Sequence, residues 1–227
     1  MQSSDTSREL RLTTYSAPLE TSWVRCKALA YLYSKFNDQI TCQKDTYSED
    51  DGYLEAIELV MLNNQEEVVG ILDIGIFNEE RNRYDSYVKE LDRGSYMDII
   101  AVHPNYQKQG IAQKLLNEGF RLLRKKGIEY VSIFTRDDTP ANNLYIKNGA
   151  ILRAKNYRIK GTLKDQMTDI SLFQVHTDTN TIEVRDSKNK EVPYMIDTSY
   201  FWVYKKEYLE LFYIEECIAE HSYFIKL

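Results

Sequence analysis

The stretch Ile99-Ile100-Ala101-Val102-His103-Pro104-Asn105-Tyr106-Gln107-Lys108-Gln109-Gly110-Ile111-Ala112 holds the residues of this chain whose types and spacing are most open to chemistry. An apolar run that stops at a proline reads as a buried strand, and a polar loop with one glycine then opens a helical pattern. At such a junction the loop and first helical turn present backbone N–H groups without intrahelical acceptors, at the positive end of the helix dipole. Their natural guest is an anion, a diphosphate above all. Gly110 allows close backbone approach, and Ala112 keeps the next contact small. No GxxxxGK[ST] and no strand-following GxGxxG occurs here, so neither ATP nor a dinucleotide has a motif behind it.

The elements that must position this segment follow from pattern. Glu9 to Ser16 reads as a first strand, and Pro18 opens a helix running to about Phe36, with Trp23, Cys26, Lys27, Ala30 and Tyr31 at helical spacing. Tyr53 to Leu62 and Val68 to Phe77 form an antiparallel hairpin joined by Asn63-Asn64-Gln65-Glu66-Glu67. Asn78 to Gly94 is a loop or short helix, Ser95 to His103 a strand, and Gly110 to Lys126 a helix with an apolar stripe of Ala112, Leu115, Leu116, Gly119 and Leu123. Tyr130 to Thr135 is a strand, Thr139 to Lys147 a short helix, and Ile151 to Lys160 a strand. Beyond Gly161, Ile170 to Thr177 and Thr181 to Asp186 form a second hairpin, Tyr200 to Tyr204 is the last core strand, and Lys206 to Ala219 is expected to be helical. This order describes an α/β fold whose mixed central sheet has antiparallel and parallel strands flanked by helices. Residues 1–160 are expected to form the core. Residues 161–227 form a C-terminal extension of the same domain, with an insertion over about 161–197.

Composition narrows the function class. The 227 residues carry 29 Lys plus Arg against 35 Asp plus Glu, a net charge of −6. That balance disfavours general binding to nucleic acid, whose phosphates call for basic clusters. Three cysteines, Cys26, Cys42 and Cys217, form no CxxC pair, so neither a disulfide framework nor a zinc knuckle is expected. The first twenty residues are polar, with Asp5, Arg8, Glu9 and Arg11. No run of eighteen apolar residues occurs, so neither a signal peptide nor a membrane span is expected. The expected setting is the cytoplasm.

Gln107-x-x-Gly110-x-Ala112, after a strand ending Ala101-Val102-His103-Pro104, resembles the acyl-CoA-binding signature [RQ]-x-x-G-x-[GA] of the GNAT-superfamily N-acetyltransferases. Downstream, Ala141-x-x-Leu144-Tyr145-x-Lys147-x-Gly149 is similar to that family's second signature, N-x-x-A-x-x-L-Y-x-K-x-G-F. One helix, one strand and one short helix separate the two in the expected order. The likeness covers roughly Leu10 to Lys160. Asp138 stands where the family usually has Asn and Ala150 where it has Phe, while the stretch from about Gly161 to Asp197 has no matching counterpart.

The resemblance implies acetyl-CoA as co-substrate and no metal. Its diphosphate would be held by backbone N–H groups of Gln107, Lys108, Gln109, Gly110, Ile111 and Ala112, and its pantetheine arm by Ile100, Ala101 and Val102, as an added strand. Asp138, Ala141, Asn142 and Tyr145 recur at i, i+3, i+4 and i+7, one helix face that would meet the thioester end. Tyr145 would protonate the departing thiolate. An ammonium must lose a proton before it attacks, and Asp98, on the face of Ile100 and Val102 by strand alternation, is a candidate base. The strand Tyr130 to Thr135, where some relatives carry a glutamate, offers Ser132, Ile133 and Phe134, so the base stays unassigned.

Other residues have plainer readings. His103 is a capping or solvated residue, Lys108 meets either a CoA phosphate or water, and Glu49-Asp50-Asp51 is a solvated loop or a lure for a cationic substrate. A small-molecule primary amine is the favoured acceptor, with direct attack through a tetrahedral intermediate. The alternatives are a protein N-terminus or lysine, and a non-catalytic acyl-CoA-binding module acting through protein contacts. Tyr200-Phe201-Trp202 is a candidate apolar contribution to a homodimer edge.

Overall fold

A computed structural model describes residues 9–85, 87–163, 170–197 and 200–227. Asp5 and Arg8 of the polar N-terminal stretch, and part of the expected insertion, lie outside the described residues. The chain forms two compact units, one of Met1–Arg81, Arg93–Glu129 and Leu227, the other of Asn82–Asp92 and Tyr130–Lys226. The division falls after Glu129, inside the stretch expected to form one core up to Lys160. The reason is that Tyr130–Arg136 pairs with the last strand of the chain.

The first unit is built on four antiparallel strands, β1 (Arg11–Thr14), β2 (Tyr53–Leu62), β3 (Val68–Phe77) and β4 (Gly94–Val102). Asn63 fixes the β2–β3 turn, its Oδ1 accepting from the amides of Gln65 and Glu67, both at 2.9 Å. All ten residues of β3 are buried, which is why its sequence is a continuous apolar run rather than an alternating one. Helix α1 (Glu20–Tyr31) sets Trp23 and Cys26 against Val60, Ile71, Ile99 and Ala101. The expected helix ends five residues early, and no regular element spans residues 40–52. A short helix α2 (Glu79–Tyr84) follows β3. Helix α3 (Ile111–Lys125) buries Ile111, Leu115, Leu116, Phe120 and Leu123, with Arg124 and Lys125 at its negative end. Fully burying one such side chain contributes about 1.5–3 kcal/mol, so this stripe holds the loop before it in place.

The second unit orders its strands β5 (Tyr130–Arg136), β11 (Phe212–Lys226), β6 (Ile151–Leu163), β10 (Tyr200–Val203) and β9 (Tyr194–Asp197). Helix α4 (Thr139–Lys147) lies between β5 and β6 in the chain. The hairpin β7 (Ile170–His176) and β8 (Thr181–Asp186) forms a separate two-stranded sheet, as its pattern predicts. Two expectations need correction. Lys206–Ala219 is not a helix, because only a 3-10 segment Lys206–Leu211 precedes β11. Tyr200–Val203 is not the last core strand, because β11 takes the place between β5 and β6. Nor is β10 a free edge, since it lies between β6 and β9. Phe201 packs on Phe212 at 4.9 Å between ring centroids, and Trp202 lies 6.5 Å from Phe134.

Candidate active site

The loop after β4 keeps its shape with its own side chains. His103 Nδ1 accepts from the Asn105 amide at 3.2 Å, the capping role, and Pro104–Tyr106 forms a 3-10 turn. Gln107 Nε2 donates to the Val102 carbonyl at 3.2 Å, and Gln109 Nε2 to that of Asn105 at 3.5 Å. Lys108 is exposed at φ 60°. Gly110 precedes α3 at φ 76°, ψ 8°, where it caps the helix without a side chain. A Cβ at Gly110 would meet nothing within 4 Å, so the space over it is open and the glycine answers to its φ alone. Among the described residues, the amides of Lys108, Gln109, Gly110, Ile111 and Ala112 donate to no backbone carbonyl. Such amides at a helix start form an anion cradle that fits a diphosphate.

Ile100 and Val102 are half-buried, paired with Leu72 and Gly70 of β3. The Ala101 side chain is committed to the core with Trp23 and Ile71, leaving its backbone alone to a ligand.

In the second unit, Asp138 caps α4, its Oδ1 accepting from the Ala141 amide at 3.1 Å. Asn142 Nδ2 donates to the carbonyls of Arg136 and Asp138, both at 2.7 Å, and its Oδ1 accepts from the Tyr223 hydroxyl at 2.9 Å. The side chains of Asp138 and Asn142 thus build the start of the helix. Tyr145 is buried, its ring 6.5 Å from that of Tyr223. Burial first, and then the Asp138 charge, push its phenol up, so the hydroxyl stays protonated through the neutral range. Ser132 is occupied, its hydroxyl donating to Asp85 Oδ2 at 3.1 Å.

Asp98 sits at a β-bulge. Asp73 pairs with Ile99 and Ile74 with Met97, so Asp98 is the extra residue of β4. Asp98 stays in the half-buried series of Tyr96, Ile100 and Val102, and its Oδ2 accepts from the Tyr47 hydroxyl at 2.9 Å. Burial pushes its carboxyl up, while the Tyr47 hydrogen bond opposes the shift.

Beside it lies a group that motif reading missed. Asp73 is fully buried, and burial pushes its carboxyl up to about 7 against the pull of Lys44, whose Nζ is 2.9 Å away. The signal was present: Asp73 is the single charge in the apolar run Val68–Phe77, and a buried lone charge calls for a partner. Glu49, Asp50 and Asp51 are exposed, away from that pairing. Among the described residues no group of His, Cys, Asp and Glu could hold a metal ion, the three cysteines are free, and no helix is long and apolar enough to cross a membrane.

The acetyltransferase (GNAT) family matches residues 23–150 of the chain. Among curated proteins none matches. Solved structures with a similar fold include the ribosomal-protein-S18-alanine N-acetyltransferase of Escherichia coli, at 10% identity and TM-score 0.51, over 96% of this chain and 94% of that one. A tandem GNAT protein from the clavulanic acid biosynthesis pathway aligns at 15% identity and TM-score 0.50, over 72% of this chain and 54% of that one. The fold class read from the sequence, a mixed sheet flanked by helices, is the one these likenesses share.

Proposed function

Because the chain belongs to the acetyltransferase (GNAT) family, we propose that it transfers acetyl from acetyl-CoA to the primary amine of a small molecule. The observation that carries this reading is the cradle capped by Gly110, with its unpaired amides and open space. Backbone donors of Lys108 through Ala112 hold the diphosphate, the Gln107 amide expected to join them being turned to the Pro104 carbonyl at 3.4 Å, and the backbone of Ile100–Val102 holds the pantetheine arm. The exposed Lys108 adds a charge for a phosphate.

On this reading a carboxylate of the first unit, with Asp98 the candidate from sequence, takes a proton from the acceptor ammonium. The freed nitrogen attacks the thioester carbon, and a backbone N–H near Val102 stabilises the oxyanion. As the C–S bond breaks, Tyr145 gives its phenol proton to the sulfur and is reprotonated from the nitrogen. Its raised pKa suits a donor that must remain protonated until that moment. The unpaired cysteines fit a reducing, cytoplasmic setting.

Thermal unfolding with and without acetyl-CoA tests the reading. Ligand at about 100 times its Kd adds roughly 2.7 kcal/mol, a rise of about 5–10 °C for a chain of this size. Gly110→Asp, which sets a carboxylate in the cradle, should abolish the rise. Tyr145→Phe should keep the rise and lose turnover. No rise at millimolar acetyl-CoA would overturn the transferase reading, and a rise without turnover of any amine would favour the non-catalytic module.

A further inference from the structure

Glu58 of β2 and Asp73 of β3 are directly opposed across the strands. Like charges so placed repel, and Asp73 is fully buried. Between them sits the ammonium of Lys44, carried by the irregular segment between α1 and β2. Its Nζ pairs with Glu58, lies 2.9 Å from Asp73 Oδ2, and donates to the Asp45 carbonyl at 3.2 Å. Around it stand the rings of Tyr15, Tyr47 and Trp23, with centroids at 5.0, 5.2 and 5.3 Å. This is an aromatic cage with carboxylates at its base, the chemistry that recognises an alkylammonium.

The cage is provided beyond what one lysine needs. Asp98 adds a third carboxylate through Tyr47. Neither oxygen of Asp73 has a hydrogen bond of good geometry among the described residues. The cage also reaches the reaction strand, because Asp98 stands two residues before Ile100, the first residue assigned to the pantetheine arm.

We propose that Lys44 is a tethered stand-in for the acceptor: the acceptor is an unbranched primary alkylammonium, and it enters by displacing the Lys44 side chain from between Glu58 and Asp73. This inference rests on the transferase reading and names its substrate class. An unbranched stem fits where the lysine butyl chain runs, and the carboxylates of Glu58 and Asp73 on either side of Nζ supply the charge that a primary ammonium calls for. An ammonium there lies at the Asp73 carboxyl, which takes the proton released before attack. A carboxyl near neutrality suits that task. A free diamine and a lysyl side chain share this chemistry.

The test compares full-length wild type with Lys44→Ala, using 1,5-diaminopentane, a lysine-containing pentapeptide and tert-butylamine as acceptors. A tether that fills the cage nine-tenths of the time raises the apparent acceptor constant about tenfold. Lys44→Ala should therefore lower KM for the diamine or the peptide by about that factor, with KM for acetyl-CoA unchanged. Diamine turnover alone assigns a free amine, and peptide turnover a lysyl side chain. An unchanged or raised amine KM, or equal use of tert-butylamine, overturns the proposal.

Should Lys44→Ala fail to fold, hydrogen exchange on the wild type decides. Saturating diamine or peptide should speed exchange of the Thr41–Gly52 amides several-fold, and unchanged exchange with both overturns the proposal. This measurement needs no acetyl-CoA, so its failure is distinct from failure of the transferase reading.

Discussion

Each unit buries a carboxylate against a cation, and the two pairs are built differently. In the second unit Glu220 is fully buried, and all its partners stand on regular strands. It lies opposite Arg136 across β11 and β5, with 3.4 Å between their charged atoms, and accepts from Asn156 Nδ2 of β6 at 2.8 Å. In the first unit Asp73 meets a lysine from the irregular segment before β2, whose amide donates to Glu20 Oε1 of α1 at 3.2 Å, and among the described residues it takes no well-aligned hydrogen bond. The first arrangement locks three strands together. The second sets its cation on a segment without regular structure, which the displacement proposed for Lys44 requires and a strut does not.

The largest effect that separates them is Glu220→Ala. Removing this carboxylate from beside Arg136 inside the sheet should cost about 3–5 kcal/mol in denaturant unfolding, with Glu220→Gln recovering part through Asn156. Lys44→Met should cost less, about 1–3 kcal/mol at pH 8, and the loss should shrink by pH 5, where Asp73 without its lysine is neutral. Equal losses at both pH values would mean that Lys44 is a strut like Arg136.

The buried carboxyl also shows in the wild type's own pH dependence. Burial, with Glu58 and Asp98 adding to it and Lys44 opposing, raises the Asp73 carboxyl from 3.8 unfolded to about 7 folded. The native state then keeps a proton that the unfolded chain has released, so this contribution is complete below pH 3.8 and is lost as pH rises through about 7. Asp73→Asn should flatten that decline in thermal unfolding between pH 4 and pH 7.

What could be read in advance follows the same line. The hairpin, α3, α4 and the two motif loops rest on local signals: turn residues, apolar period, Asp138 as cap and Gly110 at positive φ. The strand β11 is masked in the sequence because Lys206–Ala219 spaces Leu211, Ile214 and Ile218 as a helix would. Pairing with β5 and β6 outweighs that local preference. The cage was illegible because Tyr15, Trp23, Lys44, Tyr47, Glu58 and Asp73 come from five separate stretches that only the tertiary fold assembles. Asp98 is legible as a candidate, and β4 keeps it in one half-buried series with Tyr96, Ile100 and Val102, whereas the bulge beside it follows only from pairing with β3.

The position of β11 has a consequence for how the chain comes into being. Strands β5 and β6 do not pair with each other, since both wait for Phe212–Lys226 to lie between them. A ribosome therefore releases two unpaired strand edges well before their shared neighbour exists. The first unit draws all but Leu227 from residues up to Glu129 and has no such wait. Synthesis should thus yield an early-folding half and a late one, and the nascent chain's exposure to aggregation is concentrated in the interval between Leu163 and Phe212.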